Sequence, residues 1–450
     1  MKTKKILFAN IPADGHFNPL TGLAIHIKSI GYDVRWYTGR KYEEKIISLG
    51  IPYYPLVNAM DFSVGNPEEL FPERDKCKSQ VSKLQFDIKN VFLLRGPEFY
   101  QDIKKINEEF NFDLLIADIT FTGIPWVREK LNKKVISVGI MPLSETSKDL
   151  APNGLAITPN PSFLGRCKQN VMRFVADKIL FAESSKLIKE IFGQYGIKQE
   201  KGNLFDVLYR KSDLVLQSGT PGFEYKRSDL SRNIRFIGPL LPVLKNSKVT
   251  FKHHAKALAY NKVILVTQGT VETDHEKIIV PTLEAFKDSD RLVIVTTGGS
   301  GTAELRARYP QRNIIIEDFI PFTEVMPLAD VYVTNGGYGG LMLGIQHKLP
   351  LVVAGVHEGK NEICARVGYF KLGINLKTEK PTPQQMRLSV EQVLTNPIYK
   401  KNVEQLSEEF NLYNPPVLCA KYVADLIGKP AQDETTSLNI PVKTKMAVAE

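Results

Sequence analysis

The feature that most restricts the fold is an alternation of short apolar runs with amphipathic stretches, repeated along the chain and interrupted once near its middle. Residues 4–9 form an apolar run, a Gly/Pro-containing turn follows, 19–30 carry helical spacing, Gly31 stands where a helix C-cap belongs, and 33–37 are β-rich again. Such a strand–helix–strand series predicts a βαβ unit and a parallel sheet. Val81, Leu84, Ile88 and Val91, then, beyond Gly96-Pro97, Phe99, Ile103, Ile106 and Phe110 recur at helical spacing. They predict two helices leading into a strand at 113–117, with further strands at 134–139, 213–217 and 235–237.

The texture changes at Gly238-Pro239-Leu240-Leu241-Pro242, which opens a Lys-rich segment without periodicity up to about Tyr260. It reads as an interdomain linker. A second series follows, with strands at 263–267, 291–297, 313–317, 331–334 and 351–354, and a helix at 416–427 closes it. A chain of 450 residues is too long for one ordinary core. The expected division is a first α/β domain at 1–240, a linker at 241–261, a second α/β domain at 262–412, a C-terminal helix at 413–428 and a mobile tail at 429–450. The fold class is α/β, with two Rossmann-like parallel sheets facing across a cleft, and ligands of such sheets bind beyond the C-terminal strand ends.

Composition removes several classes. The formal net charge is +10, but the lysines are spread along the chain with no basic run interleaved with aromatics. The charge reads as solvated surface, without a nucleic-acid partner. No stretch is long enough to span a bilayer. Residues 6–11 are broken at Asn10 and too short for a signal sequence. Cys77, Cys167, Cys364 and Cys419 are far apart and form no CxxC pair, which fits a reduced cytoplasm and neither a disulfide framework nor a zinc site.

After the first strand, Pro12-Ala13-Asp14-Gly15-His16-Phe17-Asn18-Pro19 puts an imidazole at the mouth of the sheet, ahead of the first helix. A histidine titrating near neutrality suits removal of a proton from a hydroxyl. Position alone leaves a structural histidine equally open. Asp118 follows the strand at 113–117 and is expected to reach the same cleft, where it would orient the imidazole; the alternative is a helix N-cap. In the second domain, Asn335-Gly336-Gly337-Tyr338-Gly339-Gly340 lies between a strand and a helix, where backbone N–H groups and the helix dipole suit a diphosphate. Glycines that only make tight turns are the alternative. The run lacks G-x-G-x-x-G and a Walker lysine. Gln268-Gly269-Thr270 is a second phosphate candidate. Asp288-Ser289-Asp290 has the D-x-D form of metal-dependent transferases, but it precedes its strand and reads as a solvated turn, so no metal is expected.

Gly15-His16-x-Asn18-Pro19, Asp318-Phe319-Ile320-Pro321, Thr334-Asn335-Gly336-Gly337 and Ala365-Arg366-Val367 occur in the order and approximate spacing of family-one glycosyltransferases. The chain resembles that family, which has the GT-B fold, up to about residue 428, and is most similar to a bacterial and fungal branch acting on flavonoids and other small lipophilic alcohols. The resemblance implies that His16 is the general base and Asp118 its orienting acid. It implies further that Thr270 and Gly269 contact the diphosphate, that Phe319 packs on the nucleobase while Ile320 offers it backbone bonds, and that Gly336 to Gly340, with Tyr338, form the phosphate-binding turn. The acceptor pocket falls in the first domain, where Phe17, Phe62, Phe86, Phe121 and Met141 are the candidate walls.

Departures from the family pattern bear on the donor. Asn335 replaces a histidine, Leu343 stands where an acid usually holds the ribose, and Phe322 replaces a glutamine. The pair that reads the sugar aligns with Gly359-Lys360, with Glu358 one residue early. The expected reaction is metal-independent, inverting transfer from UDP-glucose, or from dTDP- or UDP-rhamnose, to a hydroxyl of a small lipophilic acceptor such as a flavonoid, without a cofactor. A nucleotide-sugar 2-epimerase of the same fold and a non-catalytic homologue are the rival readings.

Overall fold

The computed structural model describes residues 3–64, 67–241, 250–269, 272–357 and 359–430. The first domain holds a seven-stranded sheet in the order β3-β2-β1-β4-β5-β6-β7. Its strands are β1 (Lys5–Ala9), β2 (Asp33–Thr38), β3 (Tyr53–Pro55), β4 (Leu114–Asp118), β5 (Lys134–Gly139), β6 (Leu214–Ser218) and β7 (Ile234–Gly238). The second domain holds a six-stranded sheet in the order β10-β9-β8-β11-β12-β13. It comprises β8 (Val263–Thr267), β9 (Leu292–Thr296), β10 (Ile314–Glu317), β11 (Val331–Thr334), β12 (Leu351–Val353) and β13 (Gly373–Asn375). Neighbouring strands in both sheets pair in parallel.

The near-continuous apolar strands are explained by burial on both faces. Leu7, Leu115 and Val215 point into one core of the first domain, while Ile6, Phe8, Leu114 and Ile116 point into the other. The second sheet does the same, with Leu265 and Ile294 on one face and Ile264 and Val293 on the opposite one. Helices cover both faces, as a parallel sheet requires.

Both sheets change direction at their centre. In the first, β1 sits beside β4, with Ala9 opposite Ala117. In the second, β8 sits beside β11, with Thr267 opposite Thr334. These are the topological switch points, where connections leave for opposite sides and a crevice opens at the C-terminal strand ends.

The structure revises the start of the first helix and the extent of the linker, and it places the C-terminal helix. The first helix spans Asp14–Ser29, with Pro19 inside it, so His16 lies in its first turn and not ahead of it. The C-terminal helix Pro415–Ile427 returns to the first domain, where Cys419 and Val423 pack among Ile6, Phe8 and Ile27. The expected linker is packed from Phe251 onward, since Phe251 is buried in the second core and its N–H donates to Glu324 Oε2 at 2.8 Å. Residues 242–249 of that linker and 431–450 of the expected tail lie outside the described residues.

Candidate active site

The first switch point brings His16 and Asp118 together. Asp118 is the last residue of β4 and is fully buried, and its Oδ1 lies 3.1 Å from His16 Nδ1. Backbone donors from both central connections hold the carboxylate: Ile11 N donates to Oδ2 at 2.8 Å, and Thr120 N donates to Oδ1 at 2.9 Å. The Thr120 hydroxyl also donates to Oδ1, and its oxygen is 3.1 Å from His16 Nδ1. A carboxylate that already accepts these bonds presents only acceptors to the imidazole, so Nδ1 carries the proton and Nε2 keeps its lone pair. The His16 side chain retains 19% exposure, enough to meet a ligand. The N-cap alternative for Asp118 fails, because the next helix, Ile124–Glu129, is capped at Gly123. Thr120 escaped the sequence reading; its only signal is a hydroxyl two residues beyond an acid at a strand end.

The second switch point builds the glycine turn that is the candidate for an anion. Gly269 leaves β8 with φ +81° and Gly336 leaves β11 with φ +82°, a region that favours glycine. A Cβ at Gly336 would also stand 2.5 Å from the buried Cys364 Sγ. Burial pushes that thiol up to about 12, so Cys364 is a packed neutral neighbour of the turn. The helix Tyr338–Gln346 begins at Gly337 without a side-chain cap, leaving its first N–H groups to an anion, and a Cβ at Gly339 would meet open space. Asn335 has a structural part: its Nδ2 donates to Gln268 O and its Oδ1 accepts from Gly337 N at 3.3 Å, tying the two phosphate candidates together.

Beside this turn lies a second glycine cluster that the sequence reading missed, although Gly298-Gly299-Ser300-Gly301 after β9 signals it. Gly298 and Gly299 have φ +72° and +92°. A Cβ at Gly299 would lie 3.5 Å from the Phe319 ring, and Phe319 is 69% exposed. An open aromatic face beside a glycine strap suits a planar base. Ile320 is buried in the second core, so only its backbone faces the site. Leu343 is buried there too, in keeping with the loss of a ribose acid at that position.

Other candidates separate. Lys360 starts the helix Lys360–Tyr369, and its Cβ lies 3.1 Å from where a Cβ of Gly355 would stand, against the Asn335 backbone. The Tyr338 hydroxyl donates to Ser218 O at 2.9 Å and its ring lies beside Phe223, so this side chain joins the two domains and does not face a donor. Phe17 is fully buried between Trp36 and Tyr42, and Phe121 is fully buried against Phe99 and Tyr37. Both are core residues and not acceptor walls, because their rings fill helix–sheet packing beneath the cleft. Phe62 and Met141 are half-buried, and Phe86, also half-buried, meets Phe71 edge to face. Thr270 and Glu358 lie outside the described residues. Asp288 and Asp290 precede β9, at the end of the sheet opposite the anion turn, and Asp290 pairs with Arg291.

The two crevices face each other. Ser218 ends β6, and its contact with Tyr338 joins the C-terminal edge of one sheet to the helix that follows β11 in the other. On a second contact, Glu362 Oε1 accepts from Gly154 N and Ala156 N, each at 2.8 Å, while Arg366, which is 1% exposed, pairs with Glu224 Oε2 at 3.0 Å.

Residues 281–426 match the family described as erythromycin biosynthesis protein CIII-like, C-terminal domain. The 4'-demethylrebeccamycin synthase of Lentzea aerocolonigenes is 30% identical over 406 residues, which cover 90% of this chain and 95% of that protein. UDP-glycosyltransferase 2 of Phaeomoniella chlamydospora is 28% identical, over 90% of this chain and 92% of its own. The solved structure of the kitacinnamycin glycosyltransferase shares the fold, with a TM-score of 0.73 and 17% identity over 95% of this chain and 99% of the other. With two facing parallel-sheet domains, a histidine–aspartate pair at one switch point and a glycine turn at the other, the chain belongs to the family-one, UDP-glycosyltransferase-like glycosyltransferases of GT-B fold.

Proposed function

We propose that this glycosyltransferase is an inverting, metal-independent O-glycosyltransferase that moves a hexose from a nucleoside diphosphate to a hydroxyl of a small lipophilic acceptor, with flavonoids as the first class to test. The observation that carries the reading is the 3.1 Å contact between His16 Nδ1 and a fully buried Asp118, at the switch point facing the anion turn. His16 Nε2 takes the acceptor proton as the acceptor oxygen attacks the anomeric carbon. The bond to the diphosphate oxygen breaks, its electron pair leaves with the nucleoside diphosphate, and the configuration at that carbon inverts. Asp118 stabilises the imidazolium that forms. Backbone N–H groups at Gly336 to Gly340 and the helix dipole meet the leaving charge, in the role a divalent cation has in metal-dependent transferases.

The donor is UDP-glucose or a rhamnosyl nucleotide (dTDP- or UDP-linked). The names of the fungal relatives support the uridine nucleotide, while Asn335 and Leu343 weaken the contacts that the family makes to diphosphate and ribose. Phe319 and the strap at Gly298 and Gly299 are the proposed base platform, and Glu358 and Lys360 the proposed readers of the sugar. Phe62, Phe86 and Met141 remain the proposed acceptor walls. The reducing cytoplasm is the proposed location.

Incubation with UDP-glucose, dTDP-rhamnose and a flavonol, followed by mass spectrometry, tests the reading. A glycosylated flavonol and free nucleoside diphosphate are expected. Epimerised nucleotide sugar formed without acceptor, and no glycoside, would overturn it.

A further inference from the structure

The helix Phe163–Val175 is turned inside out. Its polar side faces the protein: Gln169, 3% exposed, donates to Asp149 O and accepts from Asn160 N, and Arg173 donates to Leu150 O. Its apolar side faces water. Phe163, Leu164, Val171 and Phe174, with Ile179 just beyond the helix, are between 61% and 78% exposed. Single exposed apolar residues are ordinary, but a contiguous crest of this kind on one helix marks a surface that something covers.

The charge around the crest indicates what covers it. Residues 163–180 carry Arg166, Lys168, Arg173 and Lys178 against one acid, Asp177, and Arg166, Lys168 and Lys178 are exposed. Aromatic and aliphatic side chains flanked by basic ones suit the headgroup boundary of a bilayer, where the apolar face enters the acyl region and the cations meet anionic lipid. Among the described residues no helix is long and apolar enough to cross a membrane, so the attachment would be to the surface. A second copy of the chain would bring the same positive flank against this one, which costs energy.

We infer that the crest formed by Phe163, Leu164, Val171, Phe174 and Ile179 is a docking surface for an anionic lipid bilayer. The inference stands whichever acceptor the cleft takes. It is tested by flotation of the full chain with vesicles of phosphatidylcholine and phosphatidylglycerol in equal parts, and with vesicles of phosphatidylcholine alone. The wild type floats with the anionic vesicles, and its binding weakens in high salt. Phe163→Ser with Phe174→Ser lowers that binding about tenfold or more, while the unfolding temperature stays near that of the wild type, because both residues are exposed. Arg166→Glu with Lys168→Glu keeps the crest intact, lowers binding to anionic vesicles and leaves binding to phosphatidylcholine unchanged. Wild-type protein that floats with neither vesicle, or variants that float as the wild type does, would overturn the inference. So would a concentration-dependent dimer in light scattering that the double serine variant abolishes, since the crest would then be covered by a second copy.

Discussion

His16 and Asp118 stand 102 positions apart in the sequence and meet at 3.1 Å because Asp118 ends β4, His16 opens the helix that follows β1, and β1 and β4 are neighbours at the centre of one sheet. The pairing fixes a tautomer. Asp118 already accepts from Ile11 N, Thr120 N and the Thr120 hydroxyl, and its remaining acceptor capacity is directed at the imidazole.

Removing the charge of Asp118 while keeping its shape should slow the chemical step. Asp118→Asn is expected to lower kcat by about tenfold to a hundredfold, and Thr120→Val by severalfold, both with little change in donor affinity. Steady-state kinetics with separate titration of the nucleotide checks this. A change confined to KM for the donor would contradict it.

Gly336 is required by conformation and by space. Gly336→Ala adds a Cβ at φ +82°, 2.5 Å from Cys364 Sγ, and so must shift the turn. Donor binding is expected to weaken by about 1–3 kcal/mol, the cost of strain at such a position. Isothermal titration with UDP measures it, and Cys364→Ala in the same background should restore part of the loss.

Asp102 gives the fold an acid limit. Burial opposes its charge, but bonds from Val57 N, Asn58 N, the Asn58 amide and the Tyr37 hydroxyl outweigh that and hold its pKa below the ordinary carboxylate value. A depressed folded-state pKa adds stability above the unfolded value, about 4, which is lost as pH falls through the folded one. Asp102→Asn should cost about 2 kcal/mol at pH 7. The gap between variant and wild type should stay constant down to about pH 5 and narrow below about pH 4 in denaturant titrations.

With backbone groups meeting the leaving diphosphate, turnover should survive excess EDTA. Full loss in chelator, restored by manganese or magnesium, would show that a cation carries the phosphate.

Much of this was readable in the sequence because buried parallel strands are apolar on both faces. The runs at β8 and β11 are bounded as their residues suggest. The short edge strands β3 and β13 were not readable, since Tyr53–Pro55 and Gly373–Asn375 contain no apolar run. Pro19 misled the placement of the first helix: a proline suggests a helix start, yet here the helix begins at Asp14. Phe17 and Phe121 were expected as acceptor walls, but the first turn of the helix after β1 and the connection after β4 turn their rings into the cores.

The central claim is that His16 is the base of a displacement reaction, and the direct measurement is turnover of His16→Ala beside its affinity for the nucleotide sugar. The account predicts that kcat falls by roughly a hundredfold or more while the donor dissociation constant stays within a few-fold of wild type. Near wild-type turnover in that variant would contradict it.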